Sequence, residues 1–409
     1  MLDKIEMRIP VDASLVDVDS EGKYCILAFD LLDLGIDIAS RCVFKNEDGE
    51  TKTQVLHHPY SQLPTSFTKM AFKFHHDGVN FPFVELKASP AKILQGHNVF
   101  GTDWIEEGAL EMLGYLLEAA PTLYSILAIP EAEVMLIDVT YSARLKDNDQ
   151  VEKVLDYLRN FSSRGIRKST KQCTYKNTVY FGSERAKRLA RKIYGKWCEF
   201  QNQLLEQKKL AAKNDKNAMR VVAVMEDVNL QKFAVGLLRF ETGMKKYWLK
   251  EQGIPTNLFL LIQYQRNHPN ILKELWLKAN AEFFKALEGE NMKATDHDSI
   301  YKKLCETHFT MTKSGRISHT KARNLFNFYC ALETHGCDAM KRRYSETRFY
   351  AYMKDLQLSG FSKMFLQNLH TEEKHNIIPF VRMVEINFDQ QVPDWYEEPK
   401  STFSKLKIA

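Results

Sequence analysis

Residues 133–144 read EVMLIDVTYSAR, and their strict alternation constrains the fold more than any other stretch. Successive strand side chains point to opposite faces, so Ile137, Val139 and Tyr141 share one side while Asp138, Thr140, Ser142 and Arg144 share the other. Lys23–Asp30, Lys69–His75 and Phe81–Ala88 alternate too, and in PFVELKAS Val84 and Leu86 oppose Glu85 and Lys87. Farther along, Phe233–Leu249 alternates again, with Arg239, Glu241 and Lys245 on one face. Residues 1–145 therefore read as strand-rich, interrupted by a helical pattern over Trp104–Leu117 whose first turn is acidic, as the helix dipole favours.

The later chain turns helical. Gln150–Phe161 places Val151, Val154, Leu155 and Leu158 on one side, and Thr256–Leu287 continues the pattern. Glu206–Arg220 is polar and Lys-rich, in the manner of a linker or helix end. From Met292 onward the helices have clear caps: Ser318 precedes Ala322, Leu325, Phe326, Tyr329 and Leu332, and Gly336 ends the run. Ser345–Leu358, a turn at 359–362 and Lys363–His370 form a helix-turn-helix candidate, although an ordinary helical bundle has the same pattern.

Between these regions lies TVYFGSERAKRLARKIYGKWCEF, residues 178–200. TVYFG predicts a short strand, Gly182 and Ser183 a turn and cap, and Leu189, Ala190, Ile193, Tyr194, Trp197 and Cys198 a helical stripe. Arg188, Arg191, Lys192 and Lys196 would ring the phenol of Tyr194, and Gly195 would sit mid-helix, where it costs roughly 1 kcal/mol relative to Ala. On spacing alone, a core tyrosine on an amphipathic helix is the commoner arrangement. Just upstream, residues 162–177 carry Arg164, Arg167, Lys168 and Lys171 among Ser and Thr: a solvated loop, or a phosphate-contacting one.

Composition narrows the function classes. The chain has 409 residues, enough for two domains, and is 44% hydrophobic and 27% charged. A net charge of +5 permits a polyanionic partner without demanding one. No apolar run approaches a membrane span. The seven cysteines include no CxxC pair and read as reduced thiols. GxxxxGK[ST], GxSxG and HExxH are all absent, which disfavours ATP-driven helicases, kinases and the commonest hydrolases.

What remains is a set of carboxylates and one tyrosine. Glu85, Asp138 and Glu241 lie on polar strand faces, and His97 sits in the loop QGHNVFG. Each has a bland alternative, the wet face of a sheet or a structural histidine. Together they would suit carboxylate-held Mg²⁺ or Mn²⁺ polarising a phosphate, with Tyr194 attacking phosphorus. A ring of cations would favour the ionised phenol.

The segments MAFKF (70–74), VELKASPAKILQGHNVFGT (84–102), IDVTYSAR (137–144), KST (168–170), GLLRFE (236–241), TKSGRISH (312–319) and PDWYEEP (393–399) resemble the gene II replication initiator of filamentous bacteriophages nearly end to end. The tyrosine region is also similar to that of plasmid rolling-circle initiators, although the histidine–hydrophobic–histidine triplet of that superfamily is absent. The resemblance implies an α+β fold: an antiparallel-sheet nicking-joining domain with flanking helices over 1–290, then a helical DNA-binding or regulatory domain over 291–409. It implies binding of double-stranded origin DNA, a 5′-phosphotyrosyl link through Tyr194, a 3′-OH primer, and later circularisation of single-stranded viral DNA. Lys196 would assist Tyr194. Glu85, Asp138, His97 and Glu241 would hold Mg²⁺ or Mn²⁺. Arg164, Arg167, Lys168, Lys171, Arg188, Arg191 and Lys192 would contact DNA. Further expectations are a host helicase and polymerase as partners, an oligomer on DNA, location in the host bacterial cytoplasm, and a shorter product started at Met292. Two other readings stay open: a non-catalytic origin-binding regulator, and a water-using phosphodiesterase in which Tyr194 is structural.

Overall fold

The structure is a computed structural model that describes residues 1–26, 34, 40–45, 51–57, 61–159, 177–182, 186–287, 297–311, 317–370 and 386–404. The chain divides into two compact units: Met1–Ala143 with Glu184–Ala279 and Ile386–Ala409, and Arg144–Ser183 with Asn280–Glu385. Arg144–Ser183 thus groups with the later helices, and the terminal segment from Ile386 with the first unit. Arg164, Arg167, Lys168, Lys171 and Met292 lie outside the described residues.

The first unit is built on a large sheet. Its strands are β1 (Leu2–Pro10), β2 (Ser40–Lys45), β3 (Thr51–His57), β4 (Ser61–Pro64), β5 (Lys69–His76), β6 (Phe83–Ala88), β7 (Glu133–Arg144), β8 (Leu189–Gly195) and β9 (Leu237–Lys245). They run in the order β8-β9-β7-β1-β6-β5-β3-β2, with β4 beside β5. The expected strands at Lys69–His75, Phe81–Ala88 and Glu133–Arg144 are present, and β1, which the sequence reading passed over, is central.

β1 pairs antiparallel with β6 and β7, and the register decides the two faces. Ile5, Met7 and Ile9 stand with Val84, Leu86, Ile137 and Val139 on a fully buried apolar face. Helix α1 (Pro90–Gln95) packs on β1, and α2 (Ile105–Ala119) packs on α1. The buried Gln265 side chain accepts from the Ile105 N–H at 2.9 Å, which satisfies one orphan donor at the start of α2.

The opposite face carries charge. The Lys4↔Asp138, Arg8↔Glu85 and Glu6↔Lys87 pairs lie on it. At the β8–β9 end this face is covered by the 96–101 loop and helix α3 (Lys196–Ala211), where Val99, Phe100 and Phe200 pack with Val221, Met225, Leu230 and Leu237. Of the two alternatives over 206–220, the helix end is the one present: Lys196–Ala211 ends there and Lys216–Met225 begins after it, with Ala218, Val221 and Met225 as its buried stripe.

The second unit has a helical core of Ile300, Leu304, Leu325, Phe328, Tyr329, Leu332, Phe349, Met353 and Leu356. The helices expected after Ser318 and Ser345 appear as Thr320–His335 and Glu346–Leu358. The helix-turn-helix candidate fails. Its second helix is only Lys363–Gln367, and Met364, Phe365, Leu366 and Gln367 are all buried, leaving almost no side chain to enter a groove. Among the described residues no helix is long and apolar enough to cross a membrane.

Candidate active site

Tyr194 is on a strand, not a helix. LARKIYG pairs with Leu238–Met244, setting Tyr194 opposite Arg239 and Lys192 opposite Glu241, and the helix begins only after Gly195. The steps of three and four seen in the sequence are shared by a strand that runs directly into a helix. The partner strand, distant in sequence, settles the matter. One consequence is that Arg191, opposite Thr242, faces away from the phenol and donates to the Ala279 carbonyl. Arg188 is exposed and bonded to Glu251. Of the expected cationic ring, Lys192 alone touches Tyr194, its Nζ standing 5.1 Å from the ring centroid.

The hydroxyl of Tyr194 donates to Glu241 Oε2 at 3.3 Å and accepts from Arg239 Nη1 at 3.4 Å. Lys192 Nζ lies 2.8 Å from the other Glu241 oxygen. Tyr194 is 5% exposed, Arg239 1% and Glu241 6%, so this is a buried ionic cluster and not the wet face of a sheet. Burial pushes the phenol pKa well above its ordinary value, and Glu241, Asp3 and Glu199 add to the rise against Arg239. The expectation of an ionised phenol is thereby reversed in this conformation. Burial, followed by the charge of Asp3, pushes Glu241 up to about 8 despite Lys192.

Asp3 is the residue the sequence reading missed. A register shift between Leu2 and Lys4 frees it from the regular ladder. Its carboxylate accepts from the Asn98 amide at 2.7 Å and lies 3.9 Å from Arg239 Nη1. Although burial pushes its pKa up, Arg239, Lys192, Lys196 and Asn98 outweigh that and hold it below the carboxylate range. The Asn98 oxygen accepts from Lys196 Nζ at 2.7 Å, and Lys196 also pairs with Glu199. Lys196 has no exposed surface; burial, with Arg239 and Lys92 nearby, lowers its pKa to about 7 against the pull of Glu199. The other end of Arg239 donates to the Val99 carbonyl at 2.6 Å, so the 97–100 loop holds both Arg239 and Lys196.

The four expected metal ligands do not converge. Glu85 is buried but accepts from Arg8 at 3.2 Å and pairs with Lys87 at 2.7 Å. β1 separates its strand from β7, and the register sets it four residues away from Asp138, roughly 10 Å sideways and 13 Å lengthwise. Asp138 is nearer: burial raises it to about 6, and Lys192 and Asp3 act on it. His97 Nδ1 accepts from the Val99 N–H at 3.2 Å; burial, then Lys196 and Arg239, lower its pKa to about 3, so the ring is neutral. Among the described residues, no three His, Cys, Asp or Glu side chains stand where they could hold one metal ion together. The expected ligand set therefore does not fit a divalent cation here. The physical reason is that Glu85 is engaged by Arg8 and Lys87 elsewhere on the sheet, while a ring nitrogen of His97 is taken by the Val99 N–H within its own loop.

Comparison with known proteins gives a consistent picture over the whole length. The N-terminal family of the phage replication-associated gene II protein matches residues 1–270, and the C-terminal family of the same protein matches residues 311–402. The replication-associated gene II protein of Salmonella phage IKe is 36% identical over 420 residues, covering 100% of this chain and 99% of that protein. The proteins of the same name from Enterobacteria phages fd and M13 are each 35% identical over 419 residues, covering 100% of both chains. No solved structure matches.

Proposed function

The chain belongs to the family of phage replication-associated gene II proteins, and from that premise we propose that it initiates rolling-circle replication by nicking one strand of duplex origin DNA with Tyr194. The observation that carries this reading is the Tyr194 hydroxyl held between Arg239 and Glu241.

In the step proposed, the Tyr194 oxygen forms a bond to the scissile phosphorus while its proton passes to Glu241. The bond from phosphorus to the 3′ oxygen breaks, and that oxygen takes a proton from Lys196. Arg239, fixed by Val99 and Asp3, places its positive charge beside the oxygen that attacks. The phosphotyrosyl bond retains the energy of the phosphodiester, so a later attack by a 3′-OH rejoins strands without ATP. DNA binding by Lys192 and Arg188, and an effect of Mg²⁺ or Mn²⁺, belong to the proposal as requirements to be tested; no step above depends on them.

The second reading, Tyr194 as a structural residue beside water-driven hydrolysis, draws on its 5% exposure. One assay separates the two. The full chain is incubated with supercoiled plasmid carrying the cognate origin, with Mg²⁺ or with a chelator, and nicked DNA is examined for covalently attached protein. Tyr194→Phe is expected to lose the adduct and keep DNA binding. Nicking by the Phe variant at the original rate would overturn the nucleophile assignment.

A further inference from the structure

The segment from Ile386 returns to the sheet unit beside the loop that holds the buried cluster. Gln391 fastens it to β7: its Oε1 accepts from the Ser142 N–H at 2.7 Å, and its Nε2 donates to the Ser142 carbonyl at 2.9 Å. A turn follows, in which the Tyr396 N–H donates to the Pro393 carbonyl at 3.0 Å. It presents two adjacent rings to Phe100. Trp395 and Tyr396 meet that ring edge-on, with centroids 5.2 and 5.5 Å away, and Phe233 and the His97 ring close in at 5.3 and 4.7 Å. Val392 and Tyr396 also pack on the apolar cluster around Phe200 and Leu230, which explains them as core filling. Trp395 is 51% exposed, so core filling does not account for it.

What the rings clamp is the end of a loop that grips the cations of the site. The Val99 carbonyl accepts from Arg239 Nη2 at 2.6 Å, and Asn98 accepts from Lys196 Nζ and donates to Asp3, each at 2.7 Å. The loop is braced inside as well. Gln95 Nε2 donates to the Phe100 carbonyl at 2.6 Å, and the Val99 N–H donates to His97 Nδ1 at 3.2 Å. A loop cross-bonded in this way moves as one piece, so a clamp on Phe100 also fixes Asn98 and Val99. Lys196 and Arg239 take these acceptors from the loop and not from their own helix and strand.

We propose that Trp395 and Tyr396 are positioning residues for the reaction at Tyr194: clamped on Phe100, they hold the 97–100 loop where Asn98 and Val99 aim Lys196 and Arg239. The inference rests on the reading of Tyr194 as the nucleophile, and it gives a segment far downstream in sequence a part in that chemistry.

The test uses the full chain throughout. Limited acetylation with acetic anhydride, read by peptide mass spectrometry, measures how often the enclosed Lys196 amine becomes reachable, with the exposed Lys209 as internal reference. Trp395→Ala is expected to speed acetylation of Lys196 about 2- to 10-fold, the effect of losing one edge-to-face ring contact. On supercoiled plasmid carrying the cognate origin, the same variant should slow single-turnover adduct formation by about 10- to 100-fold, the upper figure being the cost of a misplacement of about 1 Å. Plasmid affinity should stay unchanged. Trp395→Phe, which keeps a ring against Phe100, should restore both readouts. Wild-type acetylation in Trp395→Ala overturns the inference, whatever the rate. A slowed rate that comes with weaker plasmid binding, or that Trp395→Phe fails to restore, also overturns it, because the indole would then be meeting DNA directly. No adduct from the wild-type chain overturns the Tyr194 reading and the positioning role with it. An adduct whose rate does not depend on Trp395 overturns the positioning role alone.

Discussion

The Tyr194 hydroxyl donates to Glu241 across the β8–β9 ladder, with an O···O distance of 3.3 Å inside a cluster nearly closed to water. The two residues are not a register pair: Tyr194 faces Arg239 and Glu241 faces Lys192, so the hydrogen bond runs diagonally and leaves Arg239 free to meet the same oxygen. In the proposed attack, a phenol raised by burial would need a base, and Glu241 accepts its hydrogen bond. Lys192 and Arg239 limit the charge that accumulates when the proton moves.

The pH dependence of adduct formation follows from that pair. Glu241, raised to about 8, must be ionised to accept the proton, so it should give adduct formation an ascending limb on the acid side of the profile. Glu241→Gln should cut the single-turnover rate by about 10²- to 10⁴-fold, the range for loss of a general base. It should also abolish this ascending limb. Quenched-flow measurement of adduct against pH checks both, and an intact limb in the Gln variant would show that another group carries it.

Lys196 sets the opposite limb. Its pKa of about 7 means that the protonated amine needed as an acid is lost as pH rises past 7, so the wild-type profile should be bell-shaped with its maximum between about 7 and 8. Lys196→Met should leave a profile that only rises. The same residue gives a stability signature. Its folded pKa lies below the unfolded value of 10.5, so its contribution is present above about 10.5 and is lost as pH falls through 7. Chemical denaturation of the inactive Tyr194→Phe chain, with and without Lys196→Met, between pH 7 and 10 reads that dependence, which the Met substitution should flatten.

How much of this was legible in the sequence depends on how far apart the partners lie. Alternation placed Glu85, Asp138 and Glu241 on polar strand faces, and β6, β7 and β9 are indeed strands. Alternation could not say which polar face is buried. Glu241 is buried where the 97–100 loop and α3 are tied to that end of the sheet through Asn98, Lys196 and Val99, contacts that no local pattern encodes, and Asp138 is half-buried. Glu85 shares their face yet sits several strands and residues away, which only the register reveals. Tyr194 looked helical because a strand and a helix abut at Gly195, and the strand's partner is more than forty residues downstream. Asp3 was missable in a different way: LDKIEMRIP alternates visibly from Ile5, but the bulge that turns Asp3 toward Arg239 has no sequence signature.

Gly243 is where the half-buried Asp138 carboxylate leaves no room. A Cβ there would stand 2.5 Å from Asp138 Oδ1 and 3.3 Å from Leu136 Cδ1. Gly243→Ala should therefore destabilise the chain by about 1–3 kcal/mol, as overpacking does. Asp138→Ala removes the atom most in conflict, so the double variant should be more stable than the sum of the single effects predicts. Urea unfolding of the four chains measures the coupling. Simple additivity would mean that the strain at Gly243 is relieved by some route other than Asp138.

The terminal segment should behave as part of the sheet unit and not as a tail. The Gln391 side chain bonds to both backbone groups of Ser142, its Oε1 accepting at 2.7 Å and its Nε2 donating at 2.9 Å. Trp395 and Tyr396 meet the Phe100 ring edge-on, at 5.2 and 5.5 Å. The fully buried Glu111 accepts from the hydroxyls of Ser66 and Ser401 and from the Thr402 N–H. Glu111→Ala strands those donors, at a cost of about 1–3 kcal/mol for each one left buried without a partner. Much of that cost should be avoided by local release of the 401–404 end. Limited proteolysis should then remove the C-terminus of Glu111→Ala at least tenfold faster than in the wild-type chain, since a loss of about 1.4 kcal/mol in local stability gives a factor of 10 when opening is fast relative to cleavage. Equal cleavage rates would mean that Phe403, seated over Gly114, holds the end without Glu111, and Phe403→Ala would then be the variant that releases it.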